Sequence, residues 1–226
     1  MNAAARSSNV TPQLEAYYAK RASEYEKIYE KVERQDELAW LRERLPKLFA
    51  AKRVLEIACG TGYWTPLIAA RAESVVAMDY NEETLQIARS KAYPKANVSF
   101  QQGDAYALPG WPRKFSGCFA GFWWSHIPLA RLDGFLESLK AHLEPGSTVA
   151  FLDNRYVEGS STPVSRRDAE GNAYQQRKLG DGTSHEVLKN FPTAGAMEKR
   201  LGRHGSDARF TSYQYYWVAS YRIMAG

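Results

Sequence analysis

Val54-Leu55-Glu56-Ile57-Ala58-Cys59-Gly60-Thr61-Gly62-Tyr63-Trp64-Thr65 is the stretch on which the fold turns. Its first half, 53–58, reads as a short apolar β-strand that runs into an acidic residue and a pair of glycines. Glycines at such a turn let a ligand approach the backbone closely. One strand–helix unit later the apolar run 74–78 ends in Asp79. An acidic residue at the tip of a second strand is placed to accept hydrogen bonds from a ribose diol. Together the strand, the glycine turn and the acidic tip imply a pocket for an adenosine-bearing cofactor.

The rest of the chain sets the fold around this pair. Thr65-Pro66 opens a helix over 65–71, Asn81 caps one over 82–91, and strands follow at 97–101 and 115–123. An amphipathic helix over 129–143 buries Leu132, Phe135, Leu136, Leu139 and Leu143, and Pro145-Gly146 turns the chain into a strand at 147–152. Strands alternating with helices predict a parallel α/β sheet with right-handed crossovers. A helix near 193–203 and strands at 208–214 and 215–224 predict an antiparallel pair closing one edge. The Gly-, Ser-, Asp- and Arg-rich stretch 153–185 breaks this rhythm and reads as a weakly structured, functional insertion. Ahead of the core, Thr11-Pro12 opens a helix with Leu14, Tyr17, Tyr18, Arg21, Tyr25, Ile28, Tyr29 and Val32 at helical spacing. A purely packed stripe would favour Leu and Ile, which have no polar tip to satisfy. A second helix spans 36–45 and stops at Pro46.

A dinucleotide reading would need G-x-G-x-x-G after the first strand. Here the frame is Gly60-Thr61-Gly62-Tyr63-Trp64-Thr65, with Thr65 in the third glycine position. By contrast, Glu56-x-Ala58-x-Gly60-x-Gly62, Asp79, Gly103-Asp104-Ala105 and Phe122-Trp123-Trp124-Ser125-His126 resemble, in order, the landmarks of class I S-adenosylmethionine (SAM) methyltransferases. Tyr17 to Tyr25, the glycine loop, Arg177 to Gly182 and Val187 to Phe191 are further similar to bacterial small-molecule O-methyltransferases of the dehydrophos phosphonate type. That likeness lapses between Tyr156 and Tyr174, the loop that would shape substrate choice.

The resemblance implies a Rossmann-like, doubly wound, seven-stranded, mostly parallel sheet with an N-terminal helical segment. It implies SAM as cofactor, held by Tyr25, Glu56, Ala58, Gly60, Gly62, Trp64, Asp79, Tyr80, Asp104, Ala105 and Trp123. The expected organisation is a flexible tail at 1–10 and one domain over 11–226, with 11–50 and 153–190 forming a substrate lid.

Length and composition fit this. A chain of 226 residues suits one α/β domain, and 44% hydrophobic against 24% charged residues suits an ordinary globule. No apolar run is long enough to span a membrane, and the first residues lack an apolar signal core, so a cytoplasmic protein is expected. Cys59 and Cys118 have no CxxC neighbour, so reduced thiols are expected and no metal site. Lys and Arg exceed Asp and Glu by ten to eight over 1–52 and by eleven to eight over 151–226, and balance at nine each between. The basic excess sits where the lid would be, which suits an anionic small substrate or merely a solvated basic surface. No dense basic block points to nucleic acid. The chain is expected as a monomer or homodimer.

Methyl transfer needs alignment of a nucleophile and exclusion of water. His126, at a strand end beside the cofactor, is the candidate base; a structural imidazole capping the turn is the competing reading. Arg21 either binds an anion or pairs with a surface glutamate. Tyr17, Tyr18, Tyr29, Arg155, Arg177 and Lys189 complete the candidate substrate set. The expected reaction is methyl transfer to an oxygen of an anionic carboxylate- or phosphonate-type metabolite. N- or S-methylation of a small molecule, RNA methylation and a non-catalytic SAM-binding role stand as alternatives.

Overall fold

The computed structural model describes Tyr17 and residues 21–224, apart from the side chains of 22–24. The expected tail, the helix start at Thr11-Pro12 and the candidate Tyr18 lie outside the described residues. Among the described residues ten strands form two sheets. The main sheet holds β1 (Arg53–Ile57), β2 (Ser74–Asp79), β3 (Val98–Gln102), β4 (Phe115–Gly121), β5 (Leu143–Asn154), β9 (Gly205–Ser212) and β10 (Tyr216–Ile223). Its order is β3-β2-β1-β4-β5-β10-β9, parallel except for the β5–β10 and β10–β9 pairs. This is the seven-stranded, mostly parallel sheet expected from the sequence.

Successive residues of a strand face opposite sides of a sheet, and β1 shows it. Leu55 and Ile57 join the apolar layer under α4 (Leu132–His142) and α5 (Ala194–His204). Val54 joins the layer under α1 (Gln35–Arg44) and α2 (Thr65–Ala69). α3 (Glu82–Ser90) packs beside β2 and β3. The strand order reverses at β1, whose neighbours are β2 on one side and β4 on the other. The crevice beyond the carboxyl ends of strands at such a switch point is where α/β sheets bind ligands.

Three local expectations change. The tyrosine-rich stripe is not one continuous helix: 3-10 turns at Ala22–Tyr29 and Val32–Arg34 are separated by a break at Glu30 and Lys31. The helix before Pro46 stops as expected, at Arg44, but the chain does not leave helical form there: Pro46 sits in the first turn of a 3-10 segment, Leu45–Phe49, where proline fits. The stretch 153–185 is not loosely structured. It carries a three-stranded antiparallel sheet of β6 (Arg166–Arg167), β7 (Ala173–Lys178) and β8 (Ser184–Leu188). Its strands are too polar for apolar alternation to reveal them: β7 reads Ala-Tyr-Gln-Gln-Arg-Lys, and it buries Gln175. This small sheet is stitched to the segment after β4. Asn190 N–H donates to Ser125 O at 2.8 Å, and the Asn190 side chain donates to Ile127 O at 3.1 Å.

Candidate active site

Both strands at the switch point end in a left-handed residue that is not glycine. Ala58, after β1, has φ 51°, and Phe122, after β4, has φ 58°. For a bulky side chain this costs on the order of 1–3 kcal/mol and persists only when surroundings enforce it. At Phe122 the enforcement is visible: its N–H donates to Leu152 O at 2.6 Å, and its buried ring packs edge-on against Tyr29 and Tyr216.

The two bends open a cleft over β1 and β2. Among its lining residues are Tyr25, Ala58, Gly60, Asp79, Tyr80, Asp104, Ala105, Trp123 and His126, all expected from the sequence. Met78, Asn81, Thr84, Tyr106 and Phe122 join them. Gly60 takes φ 56°, and a Cβ there would lie 3.8 Å from the Tyr25 ring, so that ring roofs the turn. Asp79 is clamped. One carboxylate oxygen accepts from Gly60 N at 2.8 Å; the other accepts from Asn81 N at 2.9 Å and Thr84 Oγ1 at 3.1 Å. Burial pushes its pKa up while these hydrogen bonds pull it down. Asp104 is fixed by Tyr106 N–H, which donates to it at 2.8 Å.

Five sequence-predicted residues stand away from the lining of this cleft and of the cavity beside it. Gly62 turns its Cα toward α3, where a Cβ would meet Ala88 Cβ at 2.9 Å, so glycine there serves packing. Trp64 packs edge-on against Tyr29 and Phe119 in the core. Tyr29 stacks on Tyr63 at 3.5 Å between centroids. Arg155 donates to Tyr213 O at 2.6 Å, bracing the turn before β10. Glu56 lies buried beneath the glycine loop, with Oε2 lacking a hydrogen-bond partner and its pKa pushed by burial up to about 8.

A second cavity, about 340 Å³, adjoins the cleft. Tyr25, Phe122 and His126 line both spaces and form the wall between them. The expected Tyr17, Arg21, Arg177 and Lys189 line the cavity. So do Lys27, Lys31, Arg34 and Lys178, which the sequence reading did not single out. Among the described residues no Asp or Glu lines it.

At the shared wall, His126 Nδ1 lies 2.7 Å from Leu188 O. A carbonyl can only accept, so this nitrogen carries the proton and the other carries the lone pair. Burial first, then the Lys189 ammonium, holds the imidazole well below its ordinary pKa and keeps it neutral. Lys189 Nζ donates to Ser125 Oγ at 2.6 Å and to Asp153 Oδ1 at 2.7 Å. Burial brings its pKa down to about 8, although Asp153 opposes this. Asp153, at the end of β5, also accepts from Ser125 N at 3.0 Å, so one carboxylate holds both the segment after β4 and the lysine. Sequence reading passed over Asp153, whose one signal is an acid at a strand's carboxyl end.

A doubly wound sheet in this order, with a glycine turn after β1 and an acid ending β2 over one cleft, is the class I SAM-dependent methyltransferase fold. A family model of a methyltransferase domain matches residues 54–146. It is similar to solved structures of DhpI. With the DhpI–SAH complex it shares 27% identity and a TM-score of 0.76, over 96% of this chain and 98% of that one. With the DhpI–SAM–HEP complex it shares 28% identity at the same TM-score, over 95% and 98%. Among curated relatives, it is 35% identical over 118 residues to a malonyl-[acyl-carrier protein] O-methyltransferase of Erwinia pyrifoliae, covering 51% of this chain and 41% of that protein. It is 31% identical over 110 residues to a 2-phytyl-1,4-naphtoquinone methyltransferase of Thermosynechococcus vestitus, covering 47% and 48%. The chain thus spans less than half the length of these two relatives. Among the described residues no helix is long and apolar enough to cross a membrane.

Proposed function

We propose that the chain binds SAM in the cleft and transfers its methyl group to an oxygen of a small anionic acceptor held in the cavity. The observation that carries this reading is the wall of Tyr25, Phe122 and His126, which separates a cleft whose charged lining residues are carboxylates from a cavity whose charged lining residues, among those described, are Lys and Arg. The cleft residues suit the cofactor. Asp79 offers a clamped carboxylate to a ribose diol, Asp104 and Tyr106 suit the adenine end, and the left-handed turn at Ala58 to Gly60 leaves room for the amino-acid end. Glu56, with an unpaired buried oxygen below that turn, supports the loop from beneath.

SAM supplies a methyl carbon activated by a sulfonium. The chain's own residues do the rest. Arg21, Arg177 and Lys189 hold the anion, and Tyr17 and Tyr25 close the space around it. An ionised acceptor oxygen already has its lone pair and needs no base. For an acceptor that still carries a proton, the unprotonated nitrogen of neutral His126 is the group to take it. Of the expected lid, Tyr17, parts of 21–34 and parts of 154–189 line the cavity.

Two measurements test this. Calorimetric titration with S-adenosylhomocysteine should show micromolar binding, with NAD inert. Release of S-adenosylhomocysteine should then depend on carboxylates or phosphonates in a small-molecule panel. Turnover only with amines, thiols or tRNA would overturn the acid-acceptor reading.

A further inference from the structure

Five of the cations that line the cavity form two groups. Lys189 feels the charges of Arg177 and Arg21 and sits beside His126. Lys31 feels the charge of Arg34, and both reach Ser160: Lys31 Nζ donates to its carbonyl at 2.8 Å and Arg34 to its hydroxyl at 2.9 Å. The end of β5 separates the groups. The two adjacent side chains there divide the work: Asp153 serves Lys189 at 2.7 Å, while Asn154 Oδ1 accepts from Arg34 at 3.0 Å and its Nδ2 donates to Asp153 Oδ1 at 3.5 Å.

This pair of neighbours treats the two charges unequally. Asp153 is a carboxylate and neutralises Lys189. Asn154 is a carboxamide and leaves the charge of Arg34 in place. Arg34 is only 6% exposed, yet among the described residues no carboxylate lies within ion-pair distance of it. Its other contacts are the Ser160 hydroxyl and the faces of Tyr215 and Tyr216, with Cζ at 5.2 and 5.7 Å from their centroids. Its Nε has no partner. Glu33 shares the Ser160 hydroxyl with it and feels its charge, but stands in solvent, where that interaction is screened. A buried guanidinium held by neutral acceptors is destabilising unless an anion completes it.

We propose that the acceptor carries a second anionic group, and that Arg34, assisted by Lys31, is the residue pair that selects it. The substrate class is therefore a compact diacid, small enough for a cavity of about 340 Å³. One acidic end lies with Arg21, Arg177 and Lys189 near the methyl-transfer wall; the other faces Arg34. This rests on the acid-acceptor reading above.

The test compares isosteric pairs differing only in a terminal carboxylate for a methyl: butyrate with succinate, pentanoate with glutarate, propylphosphonate with phosphonopropionate. Each is titrated into the full chain saturated with S-adenosylhomocysteine. The diacid of each pair should bind about ten- to a hundredfold tighter than its partner. In Arg34→Gln this ratio should fall to about one. Asn154→Asp preserves the shape of the contact but supplies the missing negative charge, so it should collapse the same ratio; a purely structural role for Arg34 would not. Unchanged affinity for S-adenosylhomocysteine checks folding, and Asn154→Asp carries the test if Arg34→Gln does not fold. Equal binding within pairs by the unaltered protein, or a preference that survives both substitutions, overturns this inference and leaves the acid-acceptor reading standing. Failure of every acid to bind overturns both.

Discussion

Among the described residues, the cleft is lined by the carboxylates Asp79 and Asp104 and by no Lys or Arg, and the cavity beside it by seven Lys and Arg and by no carboxylate. The two spaces meet at Tyr25, Phe122 and His126. The acidic side is fixed largely by backbone: Asp79 is held by Gly60 and Asn81 N–H groups, and Asp104 by that of Tyr106. The basic side is held by side chains drawn from distant parts of the sequence, as in Lys189 with Asp153 and Arg34 with Asn154. Rigid backbone suits a ligand that is always the same. Side-chain assembly suits one that differs between relatives, because it changes without disturbing the sheet.

The comparison breaks hardest at the buried pair. Lys189→Met leaves Asp153 charged at 0% exposure, with backbone donors but without its counter-charge, and stability should drop by about 3–5 kcal/mol in urea unfolding. A drop below about 1 kcal/mol would show that the cavity tolerates an unpaired charge and that its order does not depend on this contact. On the cleft side, Asp79→Ala should weaken S-adenosylhomocysteine binding by about 1–3 kcal/mol by calorimetry, from lost ribose contacts. Unchanged affinity refutes the ribose assignment.

Glu56 gives a pH test confined to the cleft side. Its folded pKa, about 8, lies above its ordinary carboxylate value of 4.5. The folded state therefore holds a proton that the unfolded chain releases, so the stabilising contribution is whole below the unfolded value and lost as pH rises toward 8. Glu56→Gln should melt like the parent near the unfolded value and increasingly above it toward alkaline pH, by roughly 2–4 °C per kcal/mol relieved. A melting difference that stays flat with pH would mean that Glu56 is ionised in the folded protein. The smallest effect expected is from salt. Raising ionic strength from about 0.05 to 0.5 M should weaken acid binding in the cavity a few-fold while barely moving S-adenosylhomocysteine in the cleft. Equal sensitivity of both ligands would erase the electrostatic contrast.

Legibility in the sequence followed the same divide. The main sheet, its edge pair, the turn at Ala58 to Gly60, Asp79, Asp104 and Trp123 were readable because each is a local pattern: an apolar run, a turn residue and an acid within a few positions. Gly62, Trp64 and Tyr29 share those motifs but turn into packing, and motif spacing does not say which way a side chain faces. The three-stranded sheet was hidden because its strands are polar and lack alternation. Arg34 and Asn154 were invisible because nothing near either marks it, and their contact joins residues 120 apart in the chain.

What the sequence determined by itself is the framework: hydrophobic periodicity and turn chemistry act over a few residues, and they dictate strands, helices and the glycine loop. What only the tertiary structure decided is where the charges go. Asp153 and Asn154 are adjacent, nearly identical in shape and in contact with each other, yet Lys189 packs onto the first and Arg34 onto the second. Whether a cation ends neutralised or left open to a ligand depends on which distant residue the fold brings within 3 Å, and only packing sets that distance.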